Sequence, residues 1–316
     1  MPEAARWPEL PYAAWKDTAA TLQLWTQIVG KVRLALTPWL NHSWHVTLRV
    51  TARGLATPLI SANDRDFQME FDFIDHVLAL RSADGSARLV TLRPVTVADF
   101  YAETMAALAE LAIPVQIDEV PNEIPDAVPF SQDTAHAAYD AEYAHRFWRV
   151  LLRAHEVLSH FRTGFLGKAS PVHFFWGSFD LAVTRFSGRP APLHPGGIPH
   201  LSDAVVREAY SHEVSSAGFW PGGGGIEYPA FYSYAYPTPE GFASARVQPA
   251  EAFFSKELGE FLLPYDAVRT APDPDRTLID FLQSTYAAAA GLGHWDRASL
   301  ECDFGRPGEP RVLEES

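Results

Sequence analysis

The chain has 316 residues, of which 47% are hydrophobic and 20% are charged, enough apolar material for one large core or two ordinary ones. Its 39 acidic residues outnumber its 25 basic residues, which disfavours binding to nucleic acid or to an anionic membrane surface. Cys302 is the only cysteine, so an intrachain disulfide and a CxxC motif are excluded. Without a recognisable signal peptide or a run of roughly 20 apolar residues, we expect a cytoplasmic protein that does not enter a membrane.

The first half of the chain predicts a helix, an antiparallel meander and a second helix. Helices are indicated by apolar residues at steps of three and four, and strands by strict alternation of apolar and polar residues. The Asp84-Gly85 dipeptide favours a tight hairpin turn. The predicted elements are a helix over residues 15–36, strands over 44–50, 67–73, 77–82 and 88–92, and a helix that starts after Thr96 and runs through Leu111.

The second half repeats this order after a connector. Residues 118–131 are rich in proline and acidic side chains, which is typical of a connector between residues 1–117 and residues 132–300. Residues 301–316 predict a loose tail. The predicted elements are a helix over 134–162, strands over 172–186, 208–220 and 231–236, another strand near Phe253 or Phe261, and a helix over 274–290 capped by Asp273.

This order of elements predicts an α+β fold. Two architectures are compatible with this order: two similar halves, each built as helix, antiparallel sheet and helix, or a single fused sheet with helices packed on one face. No residue-level repeat supports a duplication.

A buried carboxylate is the first candidate for a functional group. The predicted strand over residues 172–186 is apolar on both faces, as in a strand buried on both sides. Asp180 lies in its middle and must be hydrogen-bonded, paired or protonated. Two alternatives stay open: a structural aspartate bonded to Ser178, Thr184 or a backbone donor, and a functional one.

Two later strands predict an aromatic surface next to Asp180. In the strand over 208–220, Tyr210, His212 and Trp220 share one face, and Glu213 lies on the other. If the next strand is a neighbour with the same orientation, its tyrosines line the same surface. This makeup fits a small-molecule site, and it also fits an ordinary half-wet sheet surface. The aligned tyrosines are Tyr232, Tyr234 and Tyr236.

These residues give a candidate site with assigned roles. Asp180, His212 and Glu213 are the acid/base candidates, and Arg185 is the candidate anchor for an anionic group. The sequence leaves any cofactor unknown. The candidate ligand-binding residues are His173, Arg185, Tyr210, Trp220, Tyr232, Tyr234 and Tyr236.

We predict no fixed metal site, because none of the 12 histidines has the spacing of a known zinc motif. His173 together with His212 or Glu213 is the one first coordination shell left open. The glycine-containing segments at 164–167 and 222–225 lack the spacing and the strand-to-helix context of a phosphate-binding loop.

Five segments carry a resemblance to a known family. They are WPELP at 7–11, NHSWHVTL at 41–48, VHFFWGSFDLAVTR at 172–185, YSHEVSSAGFWPG at 210–222 and AFYSYAYPTPEG at 230–241. The chain resembles the bacterial domain-of-unknown-function family number 5996 over nearly its whole length. The resemblance implies that the two halves are not unrelated modules, and it implies no reaction, cofactor or partner.

Three functional hypotheses follow. The first is a small-molecule enzyme or ligand-binding protein with an aromatic, Tyr/His-lined pocket in the C-terminal half. The second is a noncatalytic interaction or oligomerisation module that docks a partner on the aromatic face. The third is a metal-dependent enzyme that uses His and Glu ligands. The sequence leaves the substrate and the oligomeric state open.

Overall fold

The computed structural model describes residues 6–62 and 64–311. Within these residues the chain forms seven helices and two antiparallel sheets, which confirms the predicted α+β class. The helices are α1 (Tyr12–Leu36), α2 (Val97–Glu110), α3 (Ala141–Thr163), α4 (Asp203–Ala209), α5 (Tyr265–Arg269), α6 (Pro274–Leu292) and α7 (Arg297–Leu300).

The first sheet is built by the N-terminal half. Its strands are β1 (Arg49–Val50), β2 (Gly54–Ala56), β3 (Ile60–Ala62), β4 (Arg65–Asp72), β5 (Val77–Ser82) and β6 (Ala87–Thr91). They pair antiparallel in the order β1-β2-β4-β5-β6, and β3 also pairs with β4. The predicted hairpin between β5 and β6 is present, and Gly85 takes the positive φ of 88° that its turn requires.

The second sheet is built by the C-terminal half. Its strands are β7 (His173–Phe175), β8 (Asp180–Pro190), β9 (His212–Trp220), β10 (Ala230–Tyr236), β11 (Phe253–Ser255) and β12 (Glu260–Pro264). They are antiparallel in the order β11-β12-β10-β9-β8-β7. The two sheets are therefore separate, and an isolated bridge between Leu48 and Phe174 joins their edges.

One continuous hydrophobic cluster connects the helices with both sheets. Trp25 of α1 is fully buried and stacks on Phe100 of α2, with ring centroids 4.4 Å apart. Phe147 of α3 packs edge-to-face on Phe174 of β7. Helices α3 and α6 both contact the second sheet and bury one of its faces. Its other face is left for the site described below.

The predicted strand over residues 44–50 is wrong for most of its length. Only Arg49–Val50 forms a strand, and Leu48 adds a single bridge to Phe174. The preceding residues form turns: His42 and Ser43 have positive φ values of 58° and 57°, and Thr47 Oγ1 donates to the carbonyl oxygen of Trp44 at 3.1 Å. These local hydrogen bonds replace the sheet ladder that the alternating pattern suggested.

Two other predicted strands are interrupted. Residues 172–186 form a hairpin, not one strand, because Phe179 turns the chain with a φ of 60° and Phe175 then pairs with Asp180. Residues 203–209 form α4, which Ser202 caps, so the predicted strand over 208–220 begins only at His212. An alternating pattern does not reveal such breaks, because a hairpin or a short helix can keep apolar side chains buried on both sides.

Helix boundaries follow their capping residues. Helix α3 begins at Ala141, later than the predicted residue 134, because the Asp140 side chain accepts from the backbone N–H of Tyr143. Helix α6 begins as predicted, with the Asp273 side chain accepting from the backbone N–H of Arg276 at 2.9 Å.

The division into two halves at residues 118–131 stays a prediction. This segment is irregular apart from a short 3-10 turn at Phe130–Gln132, and its residues contribute to the cavities described below. At the C-terminal end, Cys302 Sγ and Arg311 both donate to the carbonyl oxygen of Thr163 in α3. Residues 312–316 of the predicted tail lie outside the described residues.

Candidate functional site

The face of the second sheet that points away from α3 and α6 carries the candidate site. We call it the cleft face; it holds Asp180 and Thr184 of β8, Ser216 of β9, and Tyr232 and Tyr234 of β10. The strand register sets this arrangement, because Thr184 and Tyr234 both pair with Ser216 on the strand between them. The Thr184 and Ser216 hydroxyls are 2.9 Å apart and hydrogen-bonded.

Two adjoining cavities open on the cleft face, with volumes of about 700 Å³ and about 430 Å³. We call them the large and the small cavity, and together the cleft. Residues from β8, β10, the β7–β8 turn, the end of α4 and the 118–131 segment form the boundary that both cavities share. The shared lining residues are Glu123, Gly177, Ser178, Asp180, Tyr210, Tyr232 and Tyr234.

Asp180 is the most buried carboxyl group of this boundary, at 7% exposure. Ser178 Oγ donates to its Oδ1 at 2.5 Å, and the Tyr232 hydroxyl donates to its Oδ2. Burial raises the pKa of Asp180, and the two hydrogen bonds oppose that rise because they stabilise the ionised form. Both alternatives predicted for Asp180 remain compatible with this geometry: its oxygens are satisfied, and it also lines the cleft.

Gly218 allows Tyr232 to reach Asp180. It lies on β9 between the two strands, paired with Tyr232 on one side and with Ala182 on the other. A Cβ atom at this position would clash with the Tyr232 hydroxyl and with the carbonyl oxygen of Leu181. The tyrosine side chain therefore crosses β9 over a residue without a side chain.

Glu123 and Glu260 bring two more carboxyl groups to the cleft. Glu123 comes from the 118–131 segment with a φ of 65°, and its carboxyl packs so closely on Gly177 that a Cβ there would clash. Glu260 is the first residue of β12 and lines the large cavity. Neither side chain has a hydrogen-bond or ion-pair partner within residues 6–62 and 64–311. Burial, and then the charge of Asp180, raise the pKa of each to about 7.

The tyrosines at the boundary form a connected group. The hydroxyls of Tyr210 and Tyr234 are hydrogen-bonded at 2.9 Å, and the rings of Tyr232 and Tyr234 are stacked with centroids 6.1 Å apart. Burial raises the pKa of all three phenols above the ordinary value. They therefore remain protonated at neutral pH and offer O–H donors and aromatic faces to the cleft.

The two cavities differ in their remaining walls. Trp220, at the end of β9, lines the large cavity together with glycines of the 222–225 loop, all of which have positive φ. The small cavity is mostly apolar, with His42 and His200 among its polar groups. Its large apolar side chains are Leu34, Trp39, Trp44, Val46, Phe175, Trp176, Phe186, Ile198, Leu201, Val205, Val206 and Val214.

His212 and Tyr236 share the strand face of the predicted site but lie beyond the cleft. The His212 ring is next to His42, with centroids 6.4 Å apart, and lines neither cavity. The Tyr236 hydroxyl donates to the carbonyl oxygen of Pro192. The predicted face is correct for both residues, yet the acid/base group of Asp180 with His212 is not assembled.

Glu213 and Arg185 lie on the opposite face of the sheet from the cleft. Glu213 accepts from Arg189 at 2.6 Å. The Arg185 guanidinium is buried in the core, where it stacks on the Phe161 ring at 3.6 Å and donates to the Phe161 carbonyl oxygen. The predicted anion anchor is therefore corrected, since Arg185 serves the packing between β8 and α3.

His173 is fully buried beneath the 41–48 turns. Its Nδ1 is 3.2 Å from Thr47 Oγ1, and burial lowers its pKa to about 3, so it stays neutral. It does not line the cleft. Across the described ranges, no group of three or more His, Cys, Asp or Glu side chains is arranged to hold a metal ion.

The model of a family of unknown function, DUF5996, matches residues 7–302 of the 316-residue chain. The chain belongs to this family. The match spans nearly the whole chain and confirms the resemblance found in the sequence. Comparison with curated proteins finds no match, and comparison with solved structures finds none either. In the part of this DUF5996 chain that is described, no helix is both long enough and apolar enough to cross a bilayer.

Sequence reasoning missed Glu123, Glu260 and Gly218 in this DUF5996 member. Glu123 lies in a segment interpreted as a connector, and its place beside Gly177 depends on tertiary contacts. The signal for Glu260 was available: it lies directly before the apolar residues 261–263, at the start of a predicted strand. For Gly218, an isolated glycine in a strand pattern was the available signal of a close approach.

Proposed function

We propose that the protein binds a small organic molecule in the cleft and exchanges protons with it through Glu123, Asp180 and Glu260. One observation carries the proposal: two carboxyl groups without partners among the described residues share the large cavity with a hydrogen-bonded Asp180–Tyr232 pair. Glu123 lies at the junction of the two cavities, and Glu260 lines the large cavity. Glu123 and Glu260 are partly buried, so the ionised form of each loses some of its hydration without gaining a partner among the described residues. Perturbed carboxyl groups of this kind cluster at functional sites.

The chemistry of the group supports acid/base work. A general acid or base is most effective when its pKa lies near the working pH, and two of these carboxyl groups have a pKa of about 7. The neutral tyrosine hydroxyls of Tyr210 and Tyr234 can hold an oxygen or nitrogen of the ligand in place. The reaction class that fits is proton transfer at a heteroatom or at a carbon next to a carbonyl.

The shape of the cleft favours a ligand over a docking partner. An interaction module needs its aromatic side chains exposed. Tyr232 is only 7% exposed, and Tyr234 faces the shared boundary of two cavities. We therefore place the small-molecule hypothesis ahead of the interaction module.

A ligand screen with matched variants tests the proposal. Wild-type protein is screened by thermal shift against a metabolite library, and each hit is measured by calorimetry with wild type, Asp180→Asn and Tyr234→Phe. We expect both variants to weaken a genuine ligand by about tenfold, since each loses a hydrogen bond or a charge at the junction. Glu251→Gln, on an exposed turn outside both cavities, is the control.

Hits that bind all four proteins equally would place the ligand elsewhere and contradict the proposal. Proton exchange is tested separately, by incubating each confirmed ligand with the protein in deuterated water. Deuterium that becomes bound to a ligand carbon in the wild type, and not in Glu123→Gln or Glu260→Gln, would support catalysis, because protons on nitrogen and oxygen exchange with solvent unaided.

A further inference from the structure

We infer that the ligand of the cleft is an organic cation: a protonated amine that carries an apolar group. The inference rests on the proposed function and adds the class of ligand. It depends on three features: the acidic lining of the large cavity, the carboxyl groups that have no partner among the described residues, and the apolar walls of the small cavity.

The lining of the large cavity is acidic. The large cavity is lined by five carboxylate residues, and of these Asp133 is already paired with His136 at 2.7 Å. Lys16 is the one lysine or arginine among the described residues that line either cavity, and it is exposed at the rim. An anionic ligand would meet several carboxylates without a compensating cation. The carboxylate residues are Glu123, Asp126, Asp133, Asp180 and Glu260.

The carboxyl groups of Glu123 and Glu260 lack a hydrogen-bond donor and a positive charge among the described residues, and a cationic ligand would supply both. An ammonium group has only donors, and a carboxylate has only acceptors, so a charge-assisted hydrogen bond satisfies both. A bound metal ion is the other way to satisfy carboxylates. The carboxyl groups of the cleft are not arranged as a metal-binding cluster in the described chain, so donors on an organic ligand fit them better.

Aromatic side chains line the same cavity as these carboxyl groups. Trp220, Tyr210, Tyr232 and Tyr234 all line the large cavity, and ring faces attract cations through the electron density of the π system. The small cavity continues from the shared boundary into apolar walls that include Trp44, Phe175 and Phe186. A ligand that spans the boundary would place its ammonium group near the carboxylates and its apolar group in the small cavity.

Three probes of similar shape and different charge test the inference: phenethylamine, phenethyl alcohol and hydrocinnamate. We expect the amine to bind wild-type protein at least about tenfold more tightly than the alcohol, as one charge-assisted hydrogen bond predicts, and the anion to bind weakest. Binding is measured by calorimetry and by ligand-observed NMR at pH 8, above the pKa of about 7 of Glu123 and Glu260.

Variants show whether the preference arises in the cleft. Glu260→Gln and Glu123→Gln keep the shape of the side chain and remove its charge. Each should weaken the amine by about five- to tenfold and leave the alcohol within about twofold of wild type. Glu251→Gln removes one negative charge outside the cleft and should leave the amine affinity unchanged. Melting temperatures of all variants show that they are folded.

The outcomes separate the inference from the proposed function. Equal or tighter binding of the alcohol or the anion, weakened by Tyr234→Phe, would overturn the cation inference and leave the cleft as a small-molecule site. Binding of the amine that falls equally in Glu251→Gln would show a non-specific charge effect and would also overturn the inference. If none of the three probes binds, the inference fails, and the library screen alone decides the proposed function.

Discussion

The two faces of the second sheet bury charged groups of opposite kind, and the contrast shows what distinguishes a site from a core. On the face covered by α3 and α6, Arg185 is 1% exposed, enclosed by the rings of Phe161, Phe165 and Tyr286. On the cleft face, Asp180 is almost as buried, but it borders two cavities and two carboxyl groups without partners. Burial of a charge is common to both faces, and each face also holds polar atoms without a partner in the described chain, such as the Tyr286 hydroxyl beside Arg185. What distinguishes Asp180 among the described residues is the open space of the two cavities that it lines.

Substitution of Arg185 should give the largest effect and act on stability alone. Arg185→Ala removes a side chain that fills the space between Phe161 and Tyr286 and that donates to the Phe161 carbonyl oxygen. We expect a loss of about 3–5 kcal/mol in the free energy of unfolding, as for large-to-small changes in a core. Denaturant titration measures the loss. If the variant keeps its stability and no longer binds cleft ligands, Arg185 would belong to the ligand site and not to the core, which would contradict our account of the two faces.

Gly218 links the two faces, because it lies in the sheet and also makes room for a cleft residue. Gly218→Ala forces its new Cβ against the Tyr232 hydroxyl and the Leu181 carbonyl oxygen. We expect a loss of about 2–3 kcal/mol, typical of overpacking, together with weaker ligand binding. Ala217→Gly, on the neighbouring residue that points to the opposite face, is the control for ligand binding. Unchanged ligand binding in Gly218→Ala would mean that the position of Tyr232 does not matter.

Neutralising the cleft carboxyl groups should increase stability, the reverse of the Arg185 result. Glu123 and Glu260 have pKa values raised from 4.5 to about 7, so the folded state retains protons that the unfolded state releases. Stability therefore falls as pH rises from 4.5 to about 7 and stays low above that window. Glu123→Gln and Glu260→Gln should each gain about 1–3 kcal/mol at alkaline pH and nothing below the window. Thermal unfolding across pH measures this gain, and a gain that does not depend on pH would contradict burial of the ionised carboxylate as its cause.

Loss of the Tyr232 hydroxyl should have the smallest effect of the four. Tyr232→Phe leaves Asp180 Oδ2 without its donor, at a cost of about 1–2 kcal/mol when Asp180 is ionised and less when it is protonated. Tyr236→Phe loses a hydroxyl that lies outside the cleft and should not change ligand binding. If the two variants behave alike in ligand binding, the Asp180–Tyr232 pair has no special role.

The sequence predicted the face and its aromatic residues but missed two of the carboxyl groups in the cleft, Glu123 and Glu260. Alternation by two correctly placed Tyr232 and Tyr234 together, and Ser178 is one of the partners that the sequence predicts for Asp180. The alternation also places Arg185 on the face opposite Asp180, so its predicted role as an anion anchor conflicts with its own strand pattern. Face assignment needs only local pattern, so these parts could be found without a structure.

Other parts of the site depend on contacts between distant segments. Glu123 reaches Asp180 from an irregular segment, and no periodic pattern marks it. His212 lies on the predicted face of the sheet, but at the end of β9, beside His42 and outside the cleft. Alternation of apolar and polar residues predicts the side of a sheet on which a residue lies, and it does not predict the distance from that residue to a cavity. The turn after Phe175 was missed because the flanking residues are apolar on both sides of it.

Titration of the cleft carboxyl groups by carbon NMR tests the central claim most directly. Side-chain carboxyl signals of Glu123 and Glu260, assigned through their Gln variants, are followed across pH. We predict midpoints of about 7 for both, because each group is buried beside Asp180 without a partner. Midpoints at the ordinary glutamate value of 4.5 would show well-solvated or paired side chains and would contradict the proposed acid/base site in the cleft.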